Sequence, residues 1–255
     1  MKILFLGTSA GWPLPRLGCN CLICRSQDPH DKRLRPSVLI NDSILIDASP
    51  DIYHQLTNLK VDTTKISALL ITHAHPDHIH GFYDLTHLYN RQIKKPKLIV
   101  PLDVLRGLRQ FHPLPLKPFQ PEIVRPKTVI EYEKTKISFF PVEHSRLPCY
   151  GLKLKKNQIF VYLPDLHKLP KTEKKLVRDV HLLVLDGSSL GKKGQTRIHQ
   201  SIKEGIILAK ELKPKLCYFT HIGHITGTHQ ELEAFVQEQG GKNYHIAYDG
   251  LELEI

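Results

Sequence analysis

The sequence has no apolar run long enough to cross a bilayer; its longest, around Leu69-Leu70-Ile71 and Leu182-Leu183-Val184-Leu185, are strand-sized. The opening Met1-Lys2-Ile3-Leu4-Phe5-Leu6 imitates a secretory leader, but its apolar stretch stops at Gly7-Thr8-Ser9-Ala10-Gly11. It therefore reads as a first strand, and a soluble, cytoplasmic protein with no membrane partner is expected. Cysteine is scarce and odd in number, at five, which argues against a disulfide framework. Internal repeats and low-complexity tracts are absent. There is also no basic helix or RNA-binding aromatic motif, although the net charge is +11. That charge is spread over pairs such as Lys94-Lys95, Lys155-Lys156, Lys174-Lys175 and Lys192-Lys193. It reads first as a solvated basic surface and second as an attraction for an anionic substrate.

With 255 residues and 41% hydrophobic composition, the chain can bury a real core as one domain spanning 1–255. Strands are predicted at Ile3-Leu6, Val38-Ile40, Ile44-Ile46, Leu69-Ile71, Leu98-Val100, Ile137-Phe140, Gly151-Leu154, Ile159-Tyr162, Leu182-Leu185 and Leu216-Tyr218. Helices are predicted at Pro50-Leu59, Leu102-Gln110, Thr172-Arg178, Ile202-Leu212 and Gln230-Gln237. Pro113, Pro115, Pro118, Pro121 and Pro126 read as a surface connection. The interspersion of elements implies an α/β fold with sheets covered by helices. It does not separate a doubly wound sheet from a layered αββα sandwich.

The most specific segment is Leu69-Leu70-Ile71-Thr72-His73-Ala74-His75-Pro76-Asp77-His78, an apolar strand running into three histidines and a carboxylate. His73 and His75 alternate by two and so share a side of an extended strand end, while Asp77 and His78 follow as the chain turns. Imidazole nitrogen and carboxylate oxygen suit zinc, manganese or iron. Further ligand types follow apolar runs at Glu143-His144, Leu163-Pro164-Asp165 and Thr220-His221-Ile222-Gly223-His224. Cys19, Cys21 and Cys24 crowd one short loop, where three thiolates can surround a single cation, whereas Cys149 and Cys217 read as core thiols. His30, His54, His80, His87, His112, His167, His181, His229 and His245 match no ligand motif.

The ordered set His-x-His-x-Asp-His, then a His, an Asp and a last His, resembles the metallo-β-lactamase superfamily. Leu45-Ile46-Asp47-Ala48 is similar to that family's second-strand motif, whose aspartate supports the ligands. Gly7-Thr8, Gly11-Trp12-Pro13 and Gly18-Cys19-Asn20-Cys21-Leu22-Ile23-Cys24 resemble its PhnP-type branch. The resemblance implies a four-layer αββα sandwich with two divalent cations, manganese or zinc with iron as a further candidate. His73, His75 and His144 would hold one, Asp77, His78 and His221 the other, and Asp165 would bridge them. It also implies a structural zinc on the loop near 18–25, held by Cys19, Cys21, Cys24 and His224. His199, just before a predicted helix, is assigned by the family pattern as a general acid facing the substrate.

The expected activity is phosphoric diester hydrolysis of a small cyclic phosphodiester based on ribose or a nucleotide, with Asp77 and His199 as catalytic residues. The alternatives are a transfer-RNA 3′-processing-type ribonuclease and a cofactor-biosynthesis oxygenase similar to the pyrroloquinoline quinone pathway protein. The Pro-x-Lys-x-Arg-Asn loop of that ribonuclease family is missing. Nucleic acid is thus the less favoured partner, and a homodimer is kept open. A non-catalytic scaffold is disfavoured by the complete ligand set.

Overall fold

In the computed structural model the described residues are 1–111, 117–191 and 198–255. The chain builds β1 (Lys2–Gly7), β2 (Ser37–Ile40), β3 (Ile44–Ile46), β4 (Ala68–Leu70), β5 (Lys97–Pro101) and β6 (Gln120–Val124) into one sheet. It then builds β7 (Ile130–Tyr132), β8 (Thr135–Val142), β9 (Cys149–Lys155), β10 (Ile159–Leu163), β11 (Leu182–Asp186), β12 (Leu216–Thr220) and β13 (Tyr244–Ile246) into a second. Last comes β14 (Glu252–Glu254), which returns to pair antiparallel with β1, so each sheet has seven strands.

Strand alternation shows how the layers stack. In β10 and β11, Phe160, Tyr162, Leu182 and Val184 join the large core between the sheets, while Val161, Leu163, Leu183 and Leu185 join a second core. The second core lies beneath the helices Ile202–Leu212 and His229–Gly240, whose apolar faces include Ile202, Ile206, Ala209, Leu232 and Val236. On the first sheet the helices Ile52–Asn58, Phe82–Asn90 and Leu102–Phe111 contribute Ile52, Leu56, Phe82, Leu85, Tyr89, Val104, Leu105 and Leu108 to the large core. The result is the αββα sandwich, with helices on both outer faces. Each of the two C-terminal helices begins with a reciprocal capping box, Ser201 with Glu204 and Thr228 with Glu231.

The structure departs from the sequence reading in several places, and β7, β13 and β14 are strands it adds to those predicted. The proline-rich stretch is not only a surface connection, because Gln120–Val124 is an edge strand parallel to β5. Pro121 is tolerated there because an edge strand has one side free of ladder bonds. Pro113 and Pro115 lie outside the described residues. The helix predicted over Thr172–Arg178 is a single turn, Lys171–Lys174. The helix Phe82–Asn90 was unpredicted, although Phe82, Leu85 and Tyr89 form its buried stripe. Among the described residues, no helix is long and apolar enough to cross a membrane. Cys149 and Cys217 are buried core thiols.

A buried ionic cluster ties the C-terminal segment to the first strand. Arg33 is fully buried, donating to Thr8 Oγ1 at 2.8 Å and to the Ala247 carbonyl. Asp249 accepts from Thr8 Oγ1 at 2.7 Å and from the Leu34 amide at 2.6 Å. Burial outweighs these bonds and the Arg33 charge, raising the Asp249 carboxyl from 3.8 to about 7. The stability that comes from holding this proton is fully present below pH 3.8 and is lost as pH rises to about 7. Asp249→Asn is therefore expected to flatten the fall of stability across that window, by at most roughly 1.4 kcal/mol per pH unit. Melting temperature against pH checks this, and parallel profiles for the two proteins would refute it.

Candidate metal centre

Five strand ends converge on one edge of the sandwich. Strands β10, β11 and β12 are mutually parallel, so the chain leaves all three at the same edge, at Asp165, Asp186 and His221. Strand β8 delivers His144 there, and β4 delivers His73. The two sheets meet at this point, because the Tyr150 amide donates to the Thr72 carbonyl at 3.1 Å and His73 bridges Cys149. The short helix Pro76–Ile79 then turns Asp77 and His78 inward.

The side chains form overlapping groups. His73, His75, His144 and Asp165 offer ligand atoms within 4.8 Å of one another, and so do Asp77, His78 and His221. His75 Nδ1 stands 3.0 Å from His73 Nε2 and 3.2 Å from His144 Nε2. Asp165 reaches both groups, with Oδ2 2.9 Å from His78 Nε2 and Oδ1 3.4 Å from His221 Nε2 and 3.5 Å from His144 Nε2.

At three of these rings the other nitrogen is anchored, whereas His221 Nδ1 is buried without a hydrogen-bond partner among the described residues. His73 Nδ1 lies 3.0 Å from Thr72 Oγ1, His78 Nδ1 lies 2.8 Å from Asp47 Oδ2, and His144 Nδ1 lies 2.9 Å from the Ile198 carbonyl. Anchoring one nitrogen on an oxygen while the other points inward is how metal-ligating histidines are oriented. The inward atoms His78 Nε2 and Asp165 Oδ2 are buried and, although 2.9 Å apart, lack the alignment of a hydrogen bond. Orphans of this kind cost free energy unless something else satisfies them, and a divalent cation would. The residues present therefore fit a metal pair.

Electrostatics agree with that fit. Burial holds His73 well below its ordinary value, lowers His75, and takes His144 down to about 4, which leaves these imidazoles neutral with lone pairs to give. At His78 burial acts in the same direction, but Asp165, Asp77 and Asp47 outweigh it and raise the ring well above its ordinary value. Three carboxylates around one imidazole are an excess of negative charge suited to cations.

Asp47 performs the role expected of the second-strand aspartate. It follows β3 with φ of 59° and accepts from the Thr72 amide and hydroxyl as well as facing His78. Asp186 was not anticipated. It is buried at the end of β11, lies 2.6 Å from His199 Nδ1, and accepts from the amides of Leu166 and Ser188. Its signal was the one that marked Asp165 and His221, an apolar run ending in a ligand-type residue. Burial would lower His199, but Asp186 outweighs it and the ring is raised to about 9. His199 packs against the rings of His144 and His221 at centroid distances of 4.6 and 5.1 Å.

Cys19, Cys21 and Cys24 also form one group of converging ligand atoms. His224 lines a cavity of about 550 Å³ together with Cys21, and its carbonyl lies 3.5 Å from Cys21 Sγ. Its imidazole is not among that group's atoms.

Residues 42–222 match the family model described as the beta-lactamase superfamily domain. The chain belongs to the metallo-β-lactamase superfamily. Within it, a diphosphatase of the PhnP family is 30% identical, superimposes with a TM-score of 0.88, and is aligned over 100% of this chain and 96% of its own. The zinc-bound PqqB from Methylobacterium extorquens shares the fold, with a TM-score of 0.82 at 20% identity over 100% of both chains. Among curated relatives, an octanoyltransferase from Porphyromonas gingivalis is 29% identical over 265 residues, covering 100% of this chain and 52% of its own length. A ribonuclease BN from Salmonella paratyphi C is 27% identical over 162 residues, covering 60% of this chain and 49% of its own length. The chain thus spans about half the length of these curated relatives. Superfamily membership and the imidazole and carboxylate cluster agree in pointing to a site for divalent cations.

Proposed function

We propose that this chain hydrolyses a small cyclic phosphodiester carried on a ribose derivative or nucleotide. The observation that carries the reading is Asp165, one buried carboxylate within reach of both imidazole groups. His73, His75 and His144 would hold one cation, Asp77, His78 and His221 the other, and Asp165 would be shared. Bound divalent cations of this kind supply Lewis acidity toward phosphoryl oxygens and lower the pKa of water.

The chain's own residues do the rest. Asp47 and Thr72 hold His78 and His73 in orientation. Asp77, at the lip of the site, completes the second set. Asp186 takes His199 Nδ1, so the proton offered to a departing alkoxide is the one on Nε2. A five-membered cyclic phosphate is strained and so opens more readily than a linear diester. Cys19, Cys21 and Cys24 would hold a structural zinc that pins their loop, with His224 brought in as the fourth ligand. The five free thiols suit a reducing cytoplasm. The core shared by the two sheets supports one domain over 1–255.

The purified protein is expected to carry more than one metal equivalent per chain, because it offers ligand sets of different softness. Elemental analysis decides this, and a single equivalent with no gain on adding manganese would sink the two-cation reading. A panel of cyclic diesters, linear diesters, a diphosphate and a transfer-RNA precursor, run with manganese, zinc and iron, tests the substrate class. The cyclic diesters are expected to turn over fastest. Cleavage confined to the diphosphate or the RNA would overturn the reading in favour of an activity like that of the named relatives.

A further inference from the structure

The only tryptophan in the chain, Trp12, is 57% exposed. It stands on a loop that hydrogen bonds fasten beside the metal centre and that passes close to Asp77. The Ile222 amide, next to His221, donates to the Thr8 carbonyl at 2.8 Å, and the Ala10 amide donates back to the Ile222 carbonyl at 3.1 Å. Ser9 Oγ donates to the Trp12 carbonyl and to that of Ile222. On the other side, a Cβ placed at Gly11 would lie 3.6 Å from Asp77 Oδ2. Trp12 is one Cα step beyond, about 3.8 Å further along the chain. A large apolar ring is thus held out to solvent near the metal centre, on backbone bonded to the residue next to His221 and passing close to Asp77.

Among the described residues, one cation stands over the ring. The Arg16 guanidinium lies over it, its carbon 5.1 Å from the ring centre, while Leu14 between them is buried and anchors the loop. An indole and a guanidinium plane are the two side-chain surfaces on which nucleobases stack, and Arg adds charge for the neighbouring phosphate. We propose that Trp12 and Arg16 form a nucleobase platform, which makes the preferred substrate a cyclic nucleotide and not a base-free ribose phosphate. This inference rests on the phosphodiesterase reading for the reaction, but binding to the platform can be measured without turnover.

Because Trp12 is the sole tryptophan, its fluorescence reports the platform alone. A nucleoside monophosphate added to the metal-loaded protein is expected to quench it saturably, and ribose phosphate lacking a base is not. In kinetics, Trp12→Ala is expected to lower kcat/KM for a 2′,3′-cyclic nucleotide, relative to a base-free cyclic phosphate, on the order of 10-fold through KM. Trp12→Phe, which keeps a stacking ring, is expected to recover most of that ratio. An oligonucleotide ending in the same cyclic phosphate separates the two sources of a base, and tighter quenching by the mononucleotide supports a small substrate.

Quenching that is absent, or equal with and without a base, overturns the platform, and turnover of cyclic nucleotides in that case leaves the phosphodiesterase reading standing. Selective quenching without turnover of any cyclic phosphodiester upholds the platform and removes the reaction.

Discussion

Asp165→Ala is expected to lower turnover of a cyclic phosphodiester by on the order of 1,000-fold or more while leaving the fold intact. Among the described residues this carboxylate lies within reach of both imidazole sets, so its loss would remove a ligand from each. The same substitution costs the scaffold little, since the 2.9 Å contact of Asp165 Oδ2 with His78 Nε2 is not an aligned hydrogen bond and the contact from Cys149 Sγ goes to the Asp165 carbonyl, which Ala retains. Metal content should fall below that of the wild type, and the circular dichroism spectrum should not change. Single-turnover kinetics with elemental analysis checks both, and a rate within ~10-fold of wild type would show that the cations do not share this residue.

The second large effect is expected at His199. If its Nε2 proton goes to the leaving alkoxide, His199→Ala should reduce turnover about 100-fold or more with a poor leaving group, at unchanged metal content. A nitrophenolate leaves without a proton, so a nitrophenyl diester should lose much less rate in the same variant. Asp186→Asn should reproduce the split, because the 2.6 Å contact to Nδ1 both orients the ring and holds it protonated. Equal losses on the two substrates would leave His199 as a phosphate-positioning residue. No loss on either would take it out of the reaction.

These residues differ in how visible they were beforehand. His73 and His75 were legible because a two-residue period at a strand end places alternate side chains together, a local rule. His144, Asp165 and His221 were legible as ligand types following apolar runs, and only their order resembled a family. Asp186 has the same local form, Leu182-Leu183-Val184-Leu185-Asp186, yet it was passed over. Nothing local says that it meets a residue 13 positions away. His224 shows the converse, since the resemblance places its ring with three thiols and the structure sets its carbonyl beside Cys21.

What the sequence by itself determined was therefore the inventory: strand ends carrying imidazole and carboxylate, a loop of three thiols, and apolar strand runs interspersed with helices. Tertiary structure alone decided the partnerships. Parallel pairing of β10, β11 and β12 put Asp165, Asp186 and His221 on one edge, and a backbone bridge between Ser9 and Ile222 brought the loop of Trp12 beside His221. The physical reason is range. Side-chain periodicity is set by φ and ψ over a few residues, whereas a ligand set or a platform depends on which strand ends lie side by side. That is settled by the burial of both sheets against a common core, which residue spacing along the chain does not record.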